Sequence, residues 1–164
     1  MSHSISALIL PGPYNADAAD KWDLVPVPLR GDLTLFHITH YYTAYWQASL
    51  GVTGYFNLGP QARPLLFPTE NVVAVLAAEL SARPEPTFAV VATDYFGGAG
   101  DQYAAVSVDG GPIHSVRLIN DALRVLGIRP AKGLDEFDTV GLGSHRSTPD
   151  YMDRYGDLCD DLGV

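Results

Sequence analysis

The chain has 164 residues, 47% of them hydrophobic and 18% charged, which argues against a disordered chain and predicts one globular domain over residues 1–164. Its formal net charge of −9 disfavours nucleic acid and anionic membrane surfaces as partners and favours a basic protein or a cation. The single cysteine, Cys159, excludes an internal disulfide. No signal-peptide pattern and no apolar run of spanning length is visible, so we expect a cytoplasmic protein.

The first fifth of the chain is predicted to be a strand followed by loop. Residues 5–10 read as a short strand, which Pro11-Gly12-Pro13 ends. Residues 11–32 contain four prolines and are expected to be loop, with an extended piece over residues 22–29. Trp22 is expected to anchor that piece on the core, because a tryptophan buries a large apolar area.

A second strand is predicted over residues 33–38, and residues 41–50 are ambiguous. Tyr42, Tyr45, Trp46 and Leu50 recur at helical spacing, and Gly51 is a suitable helix end, so we favour a helix over an aromatic-rich strand. Residues 52–67 are expected to be loop with a short strand, because prolines and glycines interrupt them.

Three further helices are predicted. The first covers residues 70–82, with Thr69 as its cap and Glu70 favourably placed in its first turn. The second covers residues 114–126 and carries an Arg117–Asp121 pair. Residues 131–148 are expected to be a long loop with a brief strand at 137–142. A last helix, interrupted at Gly156, is then expected, with Thr148 as its cap and Pro149 as its first residue.

The chain is expected to be organised around a central hairpin. Residues 88–94 form an apolar run and residues 102–108 alternate, while Gly97, Gly98 and Gly100 between them permit a reversal of the chain. The predicted fold class is therefore α+β: a central, mainly antiparallel sheet with this glycine-rich hairpin, packed by two or three helices.

The hairpin tip is the first candidate site. Two carboxylates, two aromatic rings and free backbone N–H groups lie within nine residues, and they could bind a ligand, a cation or a protein partner. Ordinary turn chemistry is the alternative. Neither the dinucleotide-binding nor the P-loop glycine pattern is present. The candidate residues are Asp94, Tyr95, Phe96, Asp101 and Gln102.

Two other stretches carry candidate residues. Asp135, Glu136 and Asp138 could bind a hard cation, although they lack the spacing of a calcium loop and could equally be solvated surface. In residues 141–147, His145 follows a serine, but the Gly-x-Ser-x-Gly motif is absent; Arg146 could pair with the nearby acids and make the loop rigid. No complete catalytic set, metal site or cofactor motif is found.

His37 and His40 are three residues apart. On a strand they would face opposite sides and could not chelate one ion, whereas on a helix they could. No third ligand is visible nearby in the sequence, so no metal site is predicted.

The motifs TDYFGGAGDQ, INDALRVLGI and DEFDTVGLGSHRS together resemble a group of small uncharacterised bacterial proteins. The resemblance covers about residues 87–148. It implies an immunity-like, toxin-neutralising role and assigns no role to any one residue.

Two functions are therefore expected from the sequence. The first is an acidic cytoplasmic interaction protein of the immunity-like kind, which blocks a basic protein partner. The alternative is a small enzyme or a ligand- or cation-binding domain that uses the Asp94/Asp101 loop together with the loop at 141–147. The sequence leaves the oligomeric state open.

Overall fold

The computed structural model describes residues 2–164, and a six-stranded antiparallel sheet lies at its centre. The strands are ordered β2-β3-β1-β4-β5-β6 across the sheet, so β1 and β4 occupy its middle. The α+β fold class predicted from the sequence is confirmed. The strands are β1 Ser2–Pro11, β2 Val27–Leu29, β3 Leu33–His37, β4 Phe88–Phe96, β5 Ala99–Ser107 and β6 His114–Val116.

Helices cover both faces of this sheet and are more numerous than the two or three expected. They are α1 Ala16–Lys21, α2 His40–Leu50, α3 Val72–Ser81, α4 Ile119–Val125, α5 Glu136–Val140 and α6 Arg154–Leu162. Three 3-10 segments cover Pro60–Leu65, Leu142–Ser144 and Asp150–Met152. Within residues 2–164, every helix is too short or too polar to cross a lipid bilayer.

Two apolar layers form because successive side chains of a strand point to opposite faces. Leu8 and Leu10 of β1 pack into the layer that also holds buried residues of α1, α2, α3 and α6. Ala7 and Ile9 enter the other layer, under α4 and α5. Trp22 is 2% exposed, as expected, and its carbonyl oxygen accepts a hydrogen bond of 2.6 Å from the Tyr42 hydroxyl.

The predicted hairpin is confirmed, and its ladder reaches further than expected. Phe96 pairs with Ala99, so the turn is only Gly97 and Gly98, whose φ angles are 60° and 83°. Two consecutive residues with positive φ match the right-handed twist of the flanking strands, and glycine adopts them at little cost. Asp94 and Asp101 therefore lie in the strands, not in the turn.

The first strand is longer and more central than predicted. It begins at Ser2 and pairs with β3 on one side and β4 on the other. The apolar run at residues 5–10 does not include Ser2, His3 and Ser4, so hydrophobicity alone did not indicate this extension.

The helix preferred for residues 41–50 is confirmed as α2. Thr39 caps its start by accepting a hydrogen bond of 3.1 Å from the Tyr42 amide, and Gly51 ends it with φ 66°. The loop predicted for residues 11–32 is partly wrong, because it contains α1. The Asn15 side chain caps that helix by accepting from the Ala18 amide.

The predicted start of the third helix is also wrong. Helix α3 follows Asn71, and Thr69 does not cap it. Glu70 turns inward, where its Oε2 accepts hydrogen bonds from the Thr43 hydroxyl at 3.0 Å and the Thr69 amide at 2.8 Å. Burial raises the pKa of Glu70 despite these bonds, because a charged carboxylate loses its hydration there.

Two predictions between residues 52 and 126 fail in detail. The strand expected within residues 52–67 is reduced to a single antiparallel bridge between Tyr55 and Glu70, and a 3-10 segment occupies Pro60–Leu65. The helix expected from residue 114 begins at Ile119, because residues 114–116 pair with β5 as an edge strand. Asp121 lies 3.2 Å from Arg124 and not beside Arg117.

The C-terminal segment departs most from its prediction. The brief strand expected at 137–142 is wrong, since residues 136–140 form α5. Thr148 caps no helix; α6 begins at Arg154, and Gly156 lies within it without interrupting it. Packing overrode local preference here, because Tyr155 and Cys159 of α6 bury their side chains at 2% exposure.

Candidate functional site

An open cleft of about 390 Å³ lies on the α4–α5 side of the sheet, beside the hairpin turn. We call it the α4–α5 cleft. It joins the start of β1, the end of the hairpin, the first residues of α4 and the segment from 135 to 146. Its lining residues are Ser2, His3, Thr93, Tyr95, Gly98, Gln102, Ile119, Asn120, Asp135, Phe137, Gly143 and Arg146.

Gln102 ties the hairpin to the start of α4. Its Nε2 donates a hydrogen bond of 2.9 Å to the Tyr95 hydroxyl oxygen, and its Oε1 accepts one of 2.8 Å from the Ile119 amide. Both ends of the amide are used, which fixes its orientation. Tyr95 acts as an acceptor in this contact and keeps its own hydroxyl proton for another partner.

Asn120 and Asp135 form a second preorganised wall. The Asn120 Oδ1 accepts from the Phe137 amide at 2.9 Å, and its Nδ2 donates to the Asp135 Oδ2 at 3.2 Å. The Asp135 Oδ1 caps α5 by accepting from the Asp138 amide at 2.8 Å. The starts of α4 and α5 are thereby held in one geometry.

His3 lies in the floor of the cleft with both ring nitrogens engaged. Its Nε2 donates to the Leu142 carbonyl oxygen at 3.1 Å, because a carbonyl can only accept. Its Nδ1 lies 2.7 Å from the Thr93 hydroxyl, and its ring centroid lies 5.4 Å from that of Phe137. A histidine held in this way positions neighbours and is not a free general base.

Arg146 brings a positive charge to the cleft. Its Nε donates to the Ser2 carbonyl oxygen at 2.9 Å, while its own carbonyl accepts from the Ser4 amide at 2.9 Å. Within residues 2–164, no carboxylate lies within 4.0 Å of its guanidinium. The predicted pairing with nearby acids is therefore wrong, since the main chain of β1 takes their place.

The ten candidate residues from the sequence fall into separate places. Four of them line the cleft: Tyr95, Gln102, Asp135 and Arg146. Asp94, Phe96 and Asp101 project from the opposite face of the same hairpin, because side chains alternate along a strand. The sequence placed these two groups in one tip, and the pleat of the sheet separates them.

The three remaining candidates play other parts. Glu136 is 5% exposed and pairs with Arg124, its Oε2 lying 3.1 Å from the arginine Nε, so it is a structural residue. Asp138 is exposed on α5. His145 is half-buried, lines neither this cleft nor the groove described below, and acts on His37 through its charge. The acids at 135–138 therefore do not converge as the cation-site hypothesis required.

The opposite face of the hairpin carries the acidic tip, which we define as Asp94, Phe96 and Asp101. Asp94 stands directly opposite Asp101 in the ladder, and Phe96 is 80% exposed. Asp94 also lines a groove of about 220 Å³, named the Asp94 groove, whose other walls carry hydroxyl groups, apolar side chains and the imidazole ring of His40. Those walls include Ser4, Ser6, Thr39, His40, Pro64, Leu65, Leu66 and Thr148.

The structure places His37 and His40 on two different secondary-structure elements. His37 ends β3 and His40 begins α2. Burial, followed by the charges of His145 and His3, lowers the pKa of His37 to about 4. Burial also lowers the pKa of His40. In the part of the chain that the structure describes, no group of three or more His, Cys, Asp or Glu side chains is placed to hold a metal ion.

The sequence analysis did not predict several of the lining residues, notably His3, Thr93, Asn120 and Phe137. One signal was available: the alternation of serines with His3, Ile5 and Ala7 would have extended β1 and placed His3 on the face of Ile5. Nothing local marks Asn120 or Phe137, which reach the cleft only because α4 and α5 pack together.

No protein-family model, curated protein or solved structure matches this chain.

Proposed function

We propose that this protein binds a basic protein partner through the acidic tip. The observation that carries the proposal is the pairing of Asp94 with Asp101 across the hairpin, next to the exposed ring of Phe96. Two carboxylates and an aromatic ring are thus presented together beside the hairpin turn, where Ser4 and Ser2 of β1 also pair with Asp94 and Phe96 of β4.

The two carboxylates of the tip lack a local counter-charge. Within residues 2–164, no lysine or arginine nitrogen lies within 4.0 Å of either one. Like charges directly opposite each other in an antiparallel pair are destabilising. A cationic side chain from a partner would remove that repulsion, and Phe96 would add apolar contact area of the kind that anchors interfaces.

The Asp94 groove has the chemistry that accepts a lysine or arginine side chain. The Asp94 carboxylate and the hydroxyls of Ser4 and Ser6 can receive the charged head. Leu65 and Leu66 can pack against the aliphatic stem, which long cationic side chains bury along apolar surface.

The overall charge supports the same choice of partner. Residues 135–164 hold eight acidic residues against two basic ones, Arg146 and Arg154. Such a field accelerates encounter with a basic protein and makes the association salt-sensitive. By covering a basic functional surface of the partner, this protein would block it sterically and electrostatically, which is the immunity-like role that the resemblance implies.

The test begins with a pull-down from host lysate at low and high salt, to identify a basic partner that is released by salt. Binding of the purified partner is then measured by surface plasmon resonance for the wild type, Phe96→Ala and the double variant Asp94→Asn with Asp101→Asn. We expect each tip variant to weaken binding by roughly tenfold or more, because interface anchors contribute about 2 kcal/mol each.

The matched control is the double variant Asp160→Asn with Asp161→Asn, which makes the same change in net charge on the exposed face of α6. It should bind almost as tightly as the wild type. The proposal is wrong if no salt-sensitive basic partner is found, or if the tip variants and the α6 control bind equally well.

A further inference from the structure

We propose that the α4–α5 cleft binds a small zwitterion of the amino-acid type, its carboxylate on Arg146 and its ammonium group on Asp135. This ligand site is separate from the partner surface, since it uses the other face of the hairpin. Arg146 and Asp135 line one cleft without forming an ion pair, so their charged atoms are more than 4.0 Å apart.

Arg146 offers hydrogen-bond donors to the cleft. Because Nε is held by the Ser2 carbonyl oxygen, the guanidinium plane is oriented before any ligand arrives. Within residues 2–164, its terminal nitrogens reach no carboxylate. A planar guanidinium matches a carboxylate through two parallel hydrogen bonds. The Tyr95 hydroxyl, whose oxygen already accepts from Gln102, supplies a further donor.

Asp135 offers hydrogen-bond acceptors to the cleft. Each of its two oxygens receives one hydrogen bond, from the Asp138 amide and from Asn120, and each keeps capacity for another. An ammonium group donates in several directions and carries the opposite charge. A ligand with only negative charge would meet repulsion at Asp135, and one with only positive charge would meet it at Arg146. A zwitterion can pair with the Arg146 guanidinium and the Asp135 carboxylate at once.

The rest of the cleft lining suits an apolar or aromatic side chain. Phe137 and Ile119 supply apolar surface, while Gly98 and Gly143 line the cleft without side chains that would fill it. The volume of about 390 Å³ lies within the range of small-molecule sites, roughly 300–1,000 Å³. His3 is committed to Thr93 and Leu142, so the cleft has no free base in its floor and is built for binding.

The test uses isothermal titration calorimetry of the full chain at neutral pH with three matched probes. L-Phenylalanine carries both charges, 3-phenylpropionate lacks the ammonium group, and 2-phenylethylamine lacks the carboxylate. We expect L-phenylalanine to bind at least about tenfold more tightly than either analogue, because each lost charge removes a charge-assisted hydrogen bond.

Two variants test whether Arg146 binds the carboxylate of the ligand and Asp135 its ammonium group. Arg146→Gln should abolish the advantage of L-phenylalanine over 2-phenylethylamine; its backbone contact with Ser4 does not depend on the side chain. Asp135→Asn should abolish the advantage over 3-phenylpropionate, while asparagine still caps α5. Asp138→Asn changes the same charge on the exposed side of α5 and should bind like the wild type.

Three results would overturn the inference. The first is that L-phenylalanine shows no saturable binding and no proteinogenic amino acid raises the melting temperature of the protein. Another is equal affinity for L-phenylalanine and an analogue. The third is an identical loss in Asp135→Asn and Asp138→Asn. Circular dichroism spectra that match the wild type exclude misfolding of the variants as the cause.

Discussion

Arg124 donates a hydrogen bond of 3.1 Å from Nε to the Oε2 of Glu136, whose side chain is only 7% exposed. This contact links α4 to α5 and so holds the wall of the α4–α5 cleft that carries Asn120 and Asp135. A buried carboxylate is tolerated when a cation and hydrogen bonds replace its hydration.

Removing the cation should therefore destabilise the protein. We expect Arg124→Gln to lower the free energy of unfolding by about 2 kcal/mol at neutral pH, because it leaves Glu136 buried without its partner. Adding Glu136→Gln should restore most of the loss, since the buried charge is then gone. Urea unfolding of the single and the double variant measures the loss and its recovery. Arg117→Gln, on an exposed arginine, is the control, and an equal loss there would contradict the prediction.

His37 should make the protein sensitive to acid. Its side chain is 3% exposed, and burial together with the charges of His145 and His3 lowers its pKa to about 4 in the folded protein. The unfolded chain, where the pKa is near 6.5, binds the proton first. The free energy of unfolding should thus fall as the pH drops from about 6.5 to about 4, by about 3 kcal/mol in total.

The substitution His37→Leu should flatten this pH dependence. It removes the titrating group and also an Nδ1 that has no hydrogen-bond partner within residues 2–164, so stability at pH 7 should hold or rise. His114→Leu, at an exposed position on β6, should keep the wild-type profile. Unfolding in urea at several pH values between 4 and 7 measures the slope. Parallel curves for His37→Leu and the wild type would refute the assignment.

Gly100 lets the two strands of the hairpin approach closely. A Cβ atom at this position would lie 2.0 Å from the backbone oxygen of Asp94 and 2.7 Å from the Cα of Tyr95. We expect Gly100→Ala to cost about 2 kcal/mol in unfolding free energy, because backbone cannot move aside as a flexible side chain can.

A neighbouring glycine provides the comparison. At Gly98 a Cβ would meet nothing within 4 Å, and only the positive φ of 83° opposes a side chain. Gly98→Ala should therefore cost less, about 1 kcal/mol. Urea unfolding of the two variants decides the order. If Gly98→Ala lowers the unfolding free energy as much as Gly100→Ala or more, the close approach of the strands is not what disfavours a side chain at Gly100.

The sequence by itself determined the elements whose signals are local. The apolar run of β4, the alternation of β5 and the three glycines between the predicted strands indicated the hairpin, and the helical spacing of Tyr42 and Trp46 predicted α2. These signals need only neighbours along the chain, because side-chain period and turn conformation are properties of consecutive residues. The α+β class followed from them. The sequence did not predict helices α1 and α5, because six and five residues make too few turns to show a helical period of apolar residues.

Only the tertiary structure decided where the functional groups meet. His3 reaches Leu142 and Arg146 reaches Ser2, contacts between residues some 140 positions apart that no local pattern encodes. The pleat of β4 and β5 sends Asp94 and Asp101 to one face and Tyr95 and Gln102 to the other, which separates the acidic tip from the α4–α5 cleft. Such placements depend on which layers pack together, because chain entropy opposes each long-range contact and only the burial of apolar surface outweighs it.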